Sequence, residues 1–490
     1  MSRPSIAKNY LYQVLYQIVQ ILIPLVTAPY LMRTLGAEMN GIYSYILSVT
    51  EYFVLFGALG ISNYGNRLIS QVRDDRKKLN KSFSSLFYAH VLISGLALCV
   101  YFVFALTVGR EYYLYYLLMI PLILSGVFDI SWFYFGLEEF KTTVTRNIFI
   151  KVMSAVLIFL LIRNELDLWK YLLITSITNL LGTGALWGKI SQRVTIVKPR
   201  RSEIIEHMKP MAVLFLSVLA ISVYTTMDKI MLGSLSNMEQ VGYYEAAHRI
   251  YGILRGFVSA FGAVMLPRMS NCISNNDMEQ YNKLIKASFK YIMCLSVAIA
   301  FGMYAVSSTL IPVYYGEAYY QSVVLLEGLA VSAIFSNLSN IVRTQFLIPH
   351  SWDRVFTFSV FAGAATNIVA NIVLIPYFHA LGAVIGTVLA EFVVCLVQTF
   401  AVRKEIPLVK NLIPTIVYSF FGIAMVAVVD LIENTMGINL LSLICQVLAG
   451  ATLYIGLCFV YLCVTKDKLV TQLPRIIKNF IIKQNKNKEL

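Results

Sequence analysis

Apolar residues run through this chain in long stretches almost free of charge, and the polar residues inside those stretches recur at helical steps. Fourteen such stretches lie near 10–33, 42–66, 83–108, 112–136, 146–163, 168–190, 210–234, 242–268, 288–314, 320–348, 356–378, 381–402, 411–431 and 439–464. About 20 apolar residues in a helix cross a hydrocarbon core, so each stretch is long enough for one crossing. The pattern predicts an all-α polytopic membrane protein of fourteen spans.

A helix that faces only lipid is apolar all round, so polar positions at steps of three and four mark a face turned to protein or water. Span 1 carries Asn9, Gln13, Tyr16, Gln17, Gln20, Pro24 and Thr27 in this way, and span 8 carries Glu245, His248, Arg249, Gly252, Arg255 and Ser259. Shorter stripes occupy span 2 (Ser44, Ser48, Glu51), span 4 (Ser125, Asp129, Trp132), span 7 (Ser217, Tyr224, Asp228) and span 10 (Ser332, Ser336, Ser339, Asn340, Arg343). Each polar residue equally suits bonding between helices, a common use of Ser, Asn and Gln in spans.

The stripes sit on corresponding helices of an internal repeat. Leu35–Tyr43 (LGAEMNGIY) matches Leu235–Tyr243 (LSNMEQVGY) at Leu, Gly and Tyr within one residue. Six crossings separate the copies, so both run the same way through the membrane. The expected architecture is two pseudo-symmetric lobes around a central cavity. Residues 1–205 form spans 1–6, 206–405 form spans 7–12, 406–465 add spans 13–14, and 466–490 form a basic tail.

Composition agrees: 58% of the 490 residues are hydrophobic and 13% are charged, against about 25% charged in soluble domains. Placing both termini in the cytoplasm puts 32 of the 40 Lys and Arg residues on cytoplasmic segments, as the positive-inside rule requires. The net charge of +14 therefore reads as topology facing an anionic leaflet and not as nucleic-acid binding. Arg33, Arg110, Arg163 and Lys170 fall outside, while Lys151, Lys229, Arg249 and Arg255 lie within spans and are not explained by topology.

Those four are the candidate anion-binding residues, with Arg249 and Arg255 foremost. Glu245 and Arg249, four apart, also suit a pair within one helix, and Asp228 and Lys229 suit local pairing. Arg255 and Lys151 have no acid three or four residues away, although Lys151 lies near enough to an end to snorkel. Pro24 and Pro29 remove backbone donors from span 1 and permit a bend, either a gate or a static kink. Tyrosines at 112–116 and 314–320 read as interfacial anchors.

No GxxxxGK[ST], HExxH or GxSxG motif occurs, the five His are scattered, and the seven Cys contain no CxxC. Neither metal, cofactor nor catalytic residue is expected, and every outer loop is short.

Lys8, Asn9, Pro24, Pro29, Tyr30, Arg33, Leu35, Gly36, Gly41, Tyr43, Ser44 and Tyr45, with Phe53 to Arg67, resemble the polysaccharide transporter family. These are Wzx-type lipid-linked oligosaccharide flippases of the multidrug/oligosaccharidyl-lipid/polysaccharide exporter superfamily. Further resembling blocks are Asp228 to Tyr244 and Leu381 to Glu391. The resemblance implies fourteen helices, two lobes and a cavity whose basic residues meet a diphosphate. The expected substrate is an undecaprenyl-diphosphate-linked oligosaccharide, moved to the outer leaflet of a bacterial cytoplasmic membrane by alternating access. Arg249, Arg255, Lys229 and Lys151 would meet the diphosphate, and Gln13, Tyr16, Gln17, Gln20, Tyr224, Asn340 and Arg343 would line the glycan cavity. Besides membrane lipids, polymerase and glycosyltransferases of the same pathway are the expected partners.

Span 1 has no acid from Asn9 to Met32, which departs from the carboxylate pattern of drug-extruding relatives. A cation-coupled drug exporter remains the alternative, with Glu51, Asp129 and Glu245 as coupling carboxylates and Asp228 as a further coupling or charge-pair residue. A membrane glycan polymerase or ligase and an assembly scaffold are the other readings.

Overall fold

The computed structural model describes residues 6–467, without the side chains of 6–18, Ser217, Tyr224 and Ala263. Among the described residues every regular element is helical. Spans 1 and 2 are the arms of one run, Ile6–Ala58, broken at Gly36 (φ 74°, ψ 176°). That left-handed conformation suits a residue without Cβ. Asn40 Nδ2 donates to the Gly36 carbonyl at 2.7 Å and the Leu31 carbonyl at 3.1 Å, satisfying groups that the break frees. Spans 11 and 12 are likewise arms of Asp353–Val402, broken at His379 (φ 49°). There Ser236 Oγ lies 2.8 Å from His379 Nδ1, and Gln240 accepts the Ala380 amide.

Span 3 is Arg76–Leu106, span 5 Phe140–Leu161, span 6 Leu168–Trp187, span 7 Arg201–Leu235 and span 8 Met238–Ser274. Span 9 is Met278–Tyr315, span 10 Ser322–Val342 with a π-turn at Arg343–Leu347, span 13 Leu408–Met436 and span 14 Leu440–Val464. Span 4 departs from a single helix, since Arg110–Leu118 and Ile120–Gly136 meet at 52°. Pro121 at the start of the second piece removes a backbone donor there. Counting the two broken runs twice and the bent pair once gives fourteen helical segments among the described residues, one for each expected span.

The segments read as cytoplasmic connections are mostly helix extensions. Span 3 starts at Arg76 because the Asp75 side chain accepts the amides of Lys77 and Lys78; these bonds hold the Asp75 carboxyl below its ordinary range. Spans 7 and 8 likewise run past their apolar stretches, to Arg201 and Ser274.

Contacts divide the chain into two units. The first takes residues up to Arg249, with Tyr314–Leu325 and Val360–Ala390. Its main core joins Leu35, Ile42 and Ile46 to Tyr101, Tyr116, Ile158 and Leu172, and a second core surrounds Phe83, Trp132 and Phe133. The second unit takes Ile250–Val313, Leu326–Ser359 and the chain from Glu391. There Met269, Phe289, Ile341 and Val402 share one core, and Val297, Tyr418, Met425 and Tyr454 another. Large apolar side chains such as Leu96, Phe149, Phe420 and Ile455 point outward. With helices of this length, that makes the chain a multi-pass membrane protein.

The tyrosine cluster near 314 differs from the interfacial expectation. Tyr315 and Tyr319 are buried and Tyr314 is bonded to span 1, leaving Tyr320 exposed. Tyr116 is buried as well, while Tyr113 is exposed.

Candidate functional site

The first unit gathers its charge around one carboxylate. Glu245, on span 8, receives Lys229 Nζ at 2.6 Å from span 7, Arg249 Nη2 at 2.9 Å from one turn along, and Ser44 Oγ at 3.2 Å from span 2. Arg249 Nε adds a second bond at 3.2 Å, so the guanidinium grips Glu245 by two nitrogens. Two cations thus meet on one acid, and Glu51 of span 2 stands within electrostatic reach of Lys229 and Glu245.

Asp228 and Lys229 do not pair with each other. Consecutive residues on a helix point about 100° apart, and they turn to different neighbours. Asp228 is 1% exposed, and its donors among the described residues are neutral: Tyr244 Oη at 2.8 Å, Thr387 Oγ1 at 2.8 Å and Asn371 Nδ2 at 2.7 Å. The Asn367 amide is beside it, within 3.3 Å of Asn371. Span 7 is thereby tied to spans 11 and 12 through a buried carboxylate with no ion-pair partner among the described residues.

Beside the Glu245 cluster lies a cavity of about 580 Å³ within the first unit. Span 1 contributes Gln20, Pro24 and Thr27, span 5 Asn147, Lys151 and Ser154, and span 6 Tyr171, Thr175, Thr178 and Asn179, joined by Tyr43 and Arg249, while Ile23, Ile150, Ala155 and Ile158 make the wall apolar in part. The rings of Tyr43 and Tyr171 stack at 3.8 Å, and Tyr43 Oη is 3.0 Å from Thr175 Oγ1. Lys151 is partly buried and makes no ion pair among the described residues. The cavity thus offers a cation, a guanidinium and a wall of amides and hydroxyls, the groups that bind anions and sugars.

Arg255 belongs to the second unit, where Glu391 on span 12 lies 3.1 Å from its Nη2 and the Tyr251 ring lies 6.0 Å from its guanidinium carbon. Its partner does come from another helix. Arg249 and Arg255 therefore answer to separate carboxylates. Asn340 and Arg343 are also in the second unit: Asn340 Oδ1 faces Gly262 of span 8, and the Arg343 guanidinium lies 5.8 Å from the Phe356 ring centre.

Asp129 accepts the Ser131 amide at 2.9 Å and stands 3.9 Å from Arg146, which places it at a helix start, away from the Glu245 cluster. Glu51 is exposed and makes no ion pair among the described residues, yet it stands close enough to Lys229 and Glu245 to feel their charges. Gln13, Tyr16, Gln17 and Tyr224 lie outside the residues whose side chains are described. Sequence reasoning missed Asn147, Tyr171, Thr175, Thr178 and Asn179, although Asn147, Lys151 and Ser154 follow steps of four and three and span 6 repeats the pattern.

Comparison with known proteins finds transporters among the relatives of this chain. The family described as "Polysaccharide biosynthesis protein" matches residues 6–273, and "Lipid II flippase MurJ" matches 196–433. A candidate O-antigen transporter of Escherichia coli (strain K12) is 24% identical over 414 residues, covering 82% of this chain and 97% of that protein. Among solved structures, the lipid II flippase MurJ in an inward closed conformation is similar in fold, with a TM-score of 0.72 at 14% identity, covering 93% of this chain and 99% of that one. An inward-facing MATE-family multidrug transporter gives 0.57 at 13% identity, covering 81% and 96%.

Proposed function

Because the chain belongs to the polysaccharide biosynthesis protein family, we propose that it is a flippase for a lipid-linked oligosaccharide, a transporter and not an enzyme. Its substrate is an undecaprenyl-diphosphate-linked glycan. The chain carries this from the cytoplasmic to the outer leaflet of a bacterial cytoplasmic membrane by alternating access, with both termini in the cytoplasm. The observation that carries the reading is the polar cavity with Lys151 and Arg249 in its wall.

A diphosphate headgroup needs cations in a low-dielectric site, and the glycan needs amides, hydroxyls and an aromatic face. Lys151 and Arg249 meet the diphosphate, with Lys229 supporting Arg249 through Glu245; Arg255 is a separate candidate within the second unit. Gln20, together with Gln13, Tyr16, Gln17 and Tyr224, meets the sugars, and Asn340 and Arg343 are separate glycan candidates within the second unit. Pro24 and Pro29 let span 1 bend as the gate. Spans 1–6 and 7–12 act as the two lobes, spans 13–14 are additions, and the basic tail from 466 on faces the cytoplasm. With the cell interior negative, each phosphate charge moved outward gains about 2.3 kcal/mol per 100 mV.

The test is export of surface glycan in a strain lacking the chain. Arg249→Ala combined with Lys151→Ala, inserted at normal level, abolishes export; full export by that variant sinks the reading. Glycosyltransferases and a polymerase that build and consume the same glycan are the pathway partners.

Asp228 supports a second feature. A buried carboxylate held only by neutral donors suits a reversible proton or small cation, so Asp228 is the coupling residue of choice over Glu51, Asp129 and Glu245. Resistance to drugs with unaltered glycan would favour the cation-coupled exporter instead.

A further inference from the structure

Tyr314 stands at the end of span 9, yet its hydroxyl donates to the carbonyl of Leu25 in span 1 at 2.5 Å. In an unbroken helix that carbonyl would accept from the amide four residues on. That residue is Pro29, which has no N–H. The tyrosine therefore supplies the donor that the proline withholds.

The contact is returned from the other side. Arg33, one turn beyond Pro29, places Nε 3.4 Å from the Tyr314 carbonyl. Further along, Asn40 Nδ2 lies 3.2 Å from Tyr319 Oη while it also holds the carbonyls of Leu31 and Gly36. The segment from Tyr314 to Tyr319 is thus strapped to span 1 on both sides of its proline and across the Gly36 break. The turn is made by Gly316 at φ 104°. All these residues belong to the first unit.

We propose that Tyr314 is a positioning residue for the gate, a latch that fixes the Pro24–Pro29 stretch of span 1 in its present form by occupying the Leu25 carbonyl. When the hydroxyl leaves, that carbonyl lacks the backbone donor that a regular helix would give it. The Pro24–Pro29 segment is then free to bend or to take up water. Pro29 creates the vacancy and Tyr314 fills it, so the two act as one device. The proposal rests on the gating role given above to Pro24 and Pro29, but its physical test needs no substrate.

That test is a double-mutant cycle on the full chain, purified in detergent, read by hydrogen exchange and mass spectrometry of peptides covering residues 20–35. Tyr314→Phe keeps the ring and removes the donor. Opening of one such hydrogen bond shifts an equilibrium by about threefold to tenfold, so exchange in that peptide rises by that factor. In a Pro29→Ala background Leu25 regains a backbone donor, and Tyr314→Phe then changes exchange less than about twofold. Glycan export should fall with Tyr314→Phe alone and be insensitive to it beside Pro29→Ala. Equal exchange effects in both backgrounds, or none in either, overturn the latch. If the exchange cycle holds but export is not a property of the chain, the flippase reading fails and the latch stands.

Discussion

Asn371 donates its side-chain amide to the carboxylate of Asp228 at 2.7 Å, bridging spans 11 and 7 deep inside the first unit. Tyr244 and Thr387 complete the shell. Removing the acceptor strands three buried donors, each costing about 1–3 kcal/mol when unmet. Asp228→Ala should therefore lower the thermal midpoint severely, and Asp228→Asn less so, by thermal unfolding in detergent. If Asp228 couples transport, Asp228→Asn also stops export in protein that still folds.

Glu245 pairs with two cations, so Glu245→Gln leaves Lys229 and Arg249 close together without their carboxylate. Breaking a buried pair from one side costs about 3–5 kcal/mol. Adding Lys229→Met should restore part of that loss. Equal midpoints for the single and double variants would show that Lys229 does not depend on Glu245.

Lys151 makes no ion pair among the described residues, and its ammonium lines the cavity. Lys151→Met should leave the stability within about 0.5 kcal/mol of the parent's while reducing glycan export. A large drop in the midpoint would assign the lysine to stability instead.

Gly41 and Gly242 come from the two copies of the repeat, and each leaves room for the other's helix. A Cβ on Gly41 would enter the Met238 carbonyl, and one on Gly242 the Ala37 carbonyl. Backbone has no rotamer with which to yield, so Gly41→Val and Gly242→Val should each destabilise by about 1–3 kcal/mol or more. Melting curves equal to the parent's would mean that this close packing is not maintained.

In the connection between spans 5 and 6, Asp167 receives Lys170 Nζ at 2.6 Å and the amides of Arg163 and Asn164. The lysine first, then the amides, hold its carboxyl below the ordinary range. A lowered folded value means the contribution is complete above the unfolded value, about 3.9, and disappears as pH falls through the folded one. Asp167→Asn should thus be less stable than the parent at pH 7, with the gap closing below about pH 4. A gap independent of pH would exclude the charged form as its source.

The sequence by itself determined the number of crossings, the candidate charges and the partners within one helix. Apolar length and helical spacing are local, which is why the Glu245–Arg249 pair was legible four residues apart. The fold as a whole was legible for the same reason. Tertiary structure alone decided which charges meet across helices: Lys229 turning to Glu245, Asp228 to Asn371 and Thr387, and Arg255 to Glu391. It also took Tyr314 from an expected anchor to the carbonyl that Pro29 leaves open. Such partners depend on which helix faces pack, and periodicity reports a face without naming the helix opposite it.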